Sequence, residues 1–200
     1  MSSGWSRVIQ IIRHAEKPPT SPPPNGIDID GNQNDQSLIP QGWQRAGAIA
    51  SLFAPFDGVP RAGLATPGTL FSPGYGTPPK TVVHRTYQTI LPVSLWLGVP
   101  IDNSYAEGDE ASLGAALAAV HAGITLVCWE HTAIAEIADA IVPITNAADI
   151  PQSWPSDRFD VVYTFTWDET MAKYTFGQVS QMLLSGDVDA PIPVQAAAGA

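Results

Sequence analysis

Cysteine is almost absent. Cys128 is the only one, so no internal disulfide can form and the fold does not depend on an oxidising compartment. Positive charge is scarce too: nine Lys and Arg stand against nineteen Asp and Glu, for a formal net charge of -10. That excludes the basic surface with which proteins grip DNA or RNA. Charged residues of both signs make up only 14% of the chain while hydrophobic residues reach 44%, a composition that folds rather than one that stays solvated. Long apolar runs are missing, because the longest mostly apolar stretch, Gly114 to Trp129, is interrupted by His121 and is too short to span a bilayer. Met1 to Gln10 is polar with a single Arg7 and has no apolar segment followed by a small-residue cleavage site, so no signal peptide is read there. These absences lead to the expectation of a soluble cytoplasmic protein with neither nucleic acid nor membrane as partner. The patterns GxxxxGK[ST], GxSxG, HExxH and paired CxxC are also lacking, which removes the commonest NTPase, α/β-hydrolase, zincin and zinc-ribbon readings. Gly74 and Gly76 form a GxG fragment with no third glycine at the right spacing.

What is present is a chain of 200 residues, long enough for one well-cored domain, divided by proline and glycine. Val8 to Ile12 is a short β-branched run that reads as a buried strand delivering Arg13 and His14 to a loop. Pro18 to Ser37 has no periodicity and reads as a long surface loop. Gln41 to Phe53 has helical spacing, Thr69 to Ser72 reads as a second strand, and the Pro- and Gly-rich segment Pro73 to Pro79 leads to His84, Arg85 and Thr86. Tyr87 to Leu97 is helical in pattern despite Pro92, Val99 to Ile101 is a strand candidate, and Leu113 to Val120 is a helix. Ile124 to Trp129 repeats the first pattern, an apolar strand closing on a polar cluster, Glu130 and His131, before a helix over Thr132 to Ile141. Asp160 to Thr166 alternates as a strand does, and Tyr174 to Leu184 fits strand and helix equally.

Strands alternating with helices predict an α/β fold: a single three-layer domain over residues 1–190, its mostly parallel sheet covered by helices on both faces. Residues 191–200 read as a flexible tail. Trp43, Trp96 and Trp129 are expected in the core, whereas Trp5, Trp154 and Trp167 flank loops and are available to a pocket wall. Asp28, Asp30 and Asp35 lack the terminal Glu of a calcium loop and read as a solvated acidic segment.

In open parallel sheets ligands gather beyond the C-terminal ends of the strands. Three polar clusters fall there: Arg13 to Pro18, Ser72 with the later Arg85, and Glu130 with His131. Arginine forks match phosphate oxygens and histidine can act as a nucleophile, so the set suits phosphoryl transfer. Arg13-His14 closing a strand, the helix start Arg85-Thr86-Tyr87-Gln88-Thr89, and His131 after an apolar strand together resemble the histidine phosphatase superfamily. The likeness runs from about Val8 to Ile141 and, in its lack of long insertions, is closest to the compact phosphatase branch of this phosphoglycerate mutase-like group.

The resemblance implies a hydrolase that cleaves phosphomonoesters, or phosphoramidates, without a metal or any other cofactor. His14 would become a phosphohistidine while Arg13, Arg85 and His131 hold the phosphoryl group of a small phosphorylated substrate. Neighbouring guanidinium charge should lower the pKa of His14 and keep its imidazole neutral. Family members place a carboxylate acid after the third strand, where this sequence offers Glu107, Asp109 and Glu110; Glu107 is favoured. Glu16 and Lys17 stand beside the pocket, either orienting substrate or as a solvated pair. Ser72 could line the pocket, and His84 and His121 have no such placement. A phosphomutase and a non-catalytic phosphoryl-binding regulatory module are the other readings of the same residues.

Overall fold

The seven residues Arg7–Arg13, all buried, form β1 of a computed structural model that describes residues 7–75, 81–120 and 122–195. Trp5, Gly76, His121, most of the Pro73–Pro79 segment and the last five residues of the expected tail lie outside the described residues. The remaining elements are α1 (Pro40–Phe53), β2 (Thr69–Phe71), α2 (Arg85–Leu97), β3 (Ile101–Asp102), α3 (Glu110–Ala119), β4 (Gly123–Trp129), α4 (Ile134–Ala140), β5 (Val161–Asp168) and β6 (Lys173–Ser180), with a short 3-10 turn at Ala147–Asp149.

The strands form one six-stranded sheet in the order β3-β2-β4-β1-β5-β6. β3, β2, β4 and β1 pair in parallel, and β5 is antiparallel to both of its neighbours. The mostly parallel α/β architecture read from the sequence is therefore present, with an antiparallel edge. β1 and β4 run in register, Arg13 opposite Trp129, so His14 and Glu130 leave the sheet side by side. Being central and covered on both faces, β1 reads as a continuous apolar run. Its one polar interruption, Gln10, is buried and satisfied: its amide donates to the Ala65 carbonyl and accepts from the Ala65 N–H, each at 2.9 Å.

Side chains alternate between the faces of the sheet and build two core layers. Ile9, Ile11, Val127 and Trp129 pack with Leu113, Leu117, Ile134 and Ile137 under α3 and α4. Ile12, Leu126 and Cys128 pack with Ile49, Phe53, Ile90 and Val93 under α1 and α2. Each such side chain, fully buried, contributes about 1.5–3 kcal/mol. The close approach of α3 to α4 depends on Gly114, where a Cβ would stand 2.4 Å from the Ile137 carbonyl oxygen.

Several expectations are revised. The helix expected at Leu113 begins at Glu110, the one expected at Thr132 begins at Ile134, and Tyr174 to Leu184 resolves as strand β6 followed by a loop. Trp96 is half exposed and rests on exposed Phe56, ring centroids 4.9 Å apart; the core stripe of α2 runs through Ile90 and Val93 and leaves position 96 to one side. Trp43 is only partly buried, its indole donating to the Ile27 carbonyl at 2.8 Å and tying down the long loop. Trp154 is core rather than pocket wall. The start of the expected tail is docked: Ile192 is buried and exchanges two hydrogen bonds with the Gln178 amide. No helix among the described residues is long and apolar enough to cross a membrane.

Candidate active site

At the C-terminal end of β1 the ladder extends one residue further, the His14 N–H donating to the Trp129 carbonyl at 3.2 Å. This holds His14 fully buried. Its ring is oriented by the Ala15 carbonyl, 2.7 Å from Nδ1; with Nδ1–H donating there, the lone pair of a neutral ring sits on Nε2. The next residue is fixed from α2: the Ala15 N–H donates to Thr89 Oγ1 at 2.9 Å, and that hydroxyl donates to the Arg85 carbonyl at 2.7 Å. Arg13, His14 and the first turns of α2 are thereby one unit.

Glu130 is the residue that the sequence reading missed as a partner. Its carboxylate lies between the two histidines, Oε2 at 3.2 Å from His14 Nε2 and Oε1 against His131 Nδ1. The imidazole rings are 5.9 Å apart and nearly perpendicular. Burial resists ionisation of Glu130, but the two histidines outweigh it and hold the carboxyl well below the usual carboxylate range. The signal was present in the sequence as Glu130-His131 closing β4; what was hidden is that β1 and β4 are register partners, which sets the Glu beside His14.

The pKa of His14 is lowered as expected, but chiefly by burial; Glu130 opposes the shift and Arg13 adds a smaller lowering. The cause is therefore mainly the missing solvent and only secondarily guanidinium charge. Arg13 itself is buried and brought down to about 10 by burial. Its NH1 donates to the carbonyls of Pro155, Ser156 and Arg158 at 3.0, 3.0 and 3.2 Å, and its guanidinium covers the Phe159 ring at 4.0 Å. Among the described residues Nε and NH2 have no hydrogen-bond partner, so one edge of the fork is left for a ligand. The segment 155–159 is a second contributor that the sequence reading missed, since only the folded chain brings it to Arg13.

Arg85 begins α2; its NH2 donates to the Asp35 carbonyl at 2.9 Å and its buried Nε has no hydrogen-bond partner among the described residues. Burial lowers its pKa, with Glu130 acting against the shift. The long loop is seated on this helix start, through Gln88 bonded to Ser37 and Leu38 and through the His84 N–H donating to the Gln36 carbonyl.

The three carboxylates after β3 separate by their surroundings. Glu110 is buried and holds the Trp129 indole N–H and the Gly108 N–H, both at 2.9 Å. Asp109 accepts from the Ala106 N–H at 2.8 Å. Glu107 is exposed, with its pKa raised by partial burial and by the charges of Glu130 and Glu110, against a hydrogen bond from Thr81. Glu16 is not a solvated partner of Lys17: it is buried, with Oε1 in an ion pair with Arg45 at 2.8 Å, while Arg45 also binds Asp187 at 2.7 Å. Ser72 Oγ accepts from the Asn103 amide at 2.8 Å. Asp28 spends a carboxylate oxygen on the N–H groups of Asp30 and Asn32.

The arrangement thus offers a buried imidazole nitrogen, two arginines with N–H groups unpaired among the described residues, a second histidine, and carboxylates in two settings. No family model and no curated protein matches the chain. Among solved structures, one named "Mycobacterial hydrolase 2" superposes with a TM-score of 0.46 at 11% sequence identity, covering 97% of this chain and 94% of that one.

Proposed function

We propose that the protein is a phosphatase of the histidine type, hydrolysing phosphomonoesters or phosphoramidates through a covalent phosphohistidine on His14. The observation that carries this reading is the His14 ring itself. Nδ1 is fixed on the Ala15 carbonyl, and the buried Nε2 has, among the described residues, no partner other than the Glu130 carboxylate it faces at 3.2 Å, at the end of a strand whose last residue, Arg13, has a guanidinium edge unpaired among those residues.

The phosphoryl group is held by Arg13, Arg85 and His131, whose fixed N–H groups stabilise its oxygens as charge redistributes. For His14 to attack, Nε2 must be unprotonated, and burial already favours the neutral ring. The Nε2–P bond forms as the P–O bond breaks, and the leaving oxygen takes a proton from Glu107, whose raised pKa suits a donor. Water then attacks phosphorus, gives its proton to the Glu107 carboxylate, and the N–P bond breaks to release phosphate and the neutral ring. A phosphoramidate leaving group reduces the demand on Glu107.

The test is a quenched reaction of wild type and His14→Ala with a radiolabelled phosphomonoester in EDTA. Acid-labile, base-stable label on the wild-type chain and none on the variant is the expected result; label retained by His14→Ala, or no label and no turnover across several substrates, overturns the reading. Glu107→Gln should lower turnover roughly 10²-fold on an alkyl phosphate and less on an aryl phosphate with a good leaving group.

A further inference from the structure

Two neutral-capable nitrogens and a carboxylate converge more tightly at this site than phosphate binding requires. His14 Nε2, a Glu130 carboxylate oxygen and His131 Nδ1 all lie within 4.8 Å of one another. Both nitrogens are buried, and among the described residues neither has a partner other than Glu130, which each faces at ion-pair range. Zinc bound at about 2.0–2.2 Å by nitrogen and oxygen in a tetrahedron sets its ligand atoms about 3.3–3.6 Å apart, and the Nε2 to Oε2 separation is 3.2 Å. The far nitrogen of His14 is already committed to the Ala15 carbonyl at 2.7 Å, the outer hydrogen bond that orients metal-binding imidazoles.

We propose that His14, Glu130 and His131 form a site for a zinc-like divalent cation, and that the bound ion takes up the Nε2 lone pair and silences His14 as a nucleophile. The silencing of turnover rests on the phosphatase reading; the cation site does not. Two imidazoles with one carboxylate favour a borderline metal such as Zn²⁺ over Mg²⁺ or Ca²⁺, which prefer all-oxygen shells. Three protein ligands leave one position for water or an anion. Arg13 and Arg85, both within electrostatic reach of Glu130, oppose the cation, so its binding is reversible and the ion is not a structural staple.

Zinc titration by calorimetry, combined with long-range proton–nitrogen spectra of the histidine rings, tests this directly, since the chain has only four histidines. One zinc per chain is expected, with the metal-bound shift on His14 Nε2 and His131 Nδ1 and none on His84 or His121. Affinity should fall about 10-fold or more in Glu130→Gln and in His131→Gln, both checked for native folding by circular dichroism, and Mg²⁺ should not bind. Absence of stoichiometric zinc, or binding that persists in both folded variants, overturns the site. In EDTA-treated enzyme, one equivalent of zinc should abolish turnover and excess EDTA restore it; turnover unchanged or raised by bound zinc overturns the silencing. Zinc on these two nitrogens without any phosphohistidine label upholds the site and removes the phosphatase reading, whereas label without zinc does the reverse.

Discussion

At the scale of single residues, the pair His14 and Glu130 makes stability and activity depend on pH in separable windows. His14 has a folded pKa below its ordinary 6.5, so on acidification the unfolded chain binds this proton before the folded one does. Stability therefore falls as the pH drops below about 6.5 toward the lower folded value. Glu130 is depressed from 4.5; its stabilising effect is complete above that pH and is lost only in more acidic solution. Thermal melts between pH 7 and pH 5 should show the melting temperature of the wild type falling with pH more steeply than that of His14→Asn, and equal slopes would show that His14 does not titrate as its burial requires. Glu130 also favours the protonated His14 ring. Glu130→Gln is thus expected to move the acid limb of kcat/KM to lower pH, and a shift toward neutrality in the measured profile would contradict the assigned contact.

At the scale of elements, the residue after His14 is held from the α1–α2 face of the sheet, and two glycines of α1 separate packing from propensity. A Cβ at Gly42 would stand 2.5 Å from the Glu16 carbonyl oxygen, whereas one at Gly47 meets nothing within 4 Å among the described residues. Gly42→Ala should destabilise by about 1–3 kcal/mol through overpacking and reduce turnover, because Glu16 follows the His14 loop. Gly47→Ala should stabilise by about 0.5–1 kcal/mol without touching turnover, and denaturant melts with parallel assays distinguish the two. Thr89→Val strands the buried Ala15 N–H, at about 1–3 kcal/mol, while Thr89→Ser keeps the acceptor; kcat should fall in the first and recover in the second. How far the sequence was legible follows the same division. Strand-helix alternation, and with it Arg13, His14, Arg85 and His131 at strand and helix ends, is written in local periodicity. The Glu130 contact depends on β1 pairing with β4, and the hold of the segment 155–159 on Arg13 joins residues 142 to 145 positions apart. Neither leaves a local pattern. The choice among Glu107, Asp109 and Glu110 depends on which carboxylates are taken up by nearby N–H groups, a fact of three-dimensional packing.

At the scale of the whole molecule, a net charge of -10 surrounds a site for which we propose a phosphoryl dianion as ligand. The two influences act over different distances. The field of the surface carboxylates repels an approaching anion from afar, and its reach shrinks from about 30 Å at 0.01 M salt to about 8 Å at 0.15 M. The contacts proposed for Arg13 and Arg85 with the phosphoryl group would operate at hydrogen-bond range inside partly buried surroundings, where salt screens much less. Added salt should therefore weaken the repulsion before it weakens the grip, so kcat/KM for a small phosphomonoester rises or holds steady between 0.01 and 0.15 M NaCl. The change belongs to KM, since kcat reports the bound complex. A substrate carrying one further carboxylate remote from the phosphate should show the larger rise, because it feels the same field with more charge. Steady-state kinetics over that salt range with the two substrates decides the matter: a steep fall in kcat/KM would mean that long-range attraction, from a local positive field around Arg13 and Arg85, outweighs the net charge of the chain.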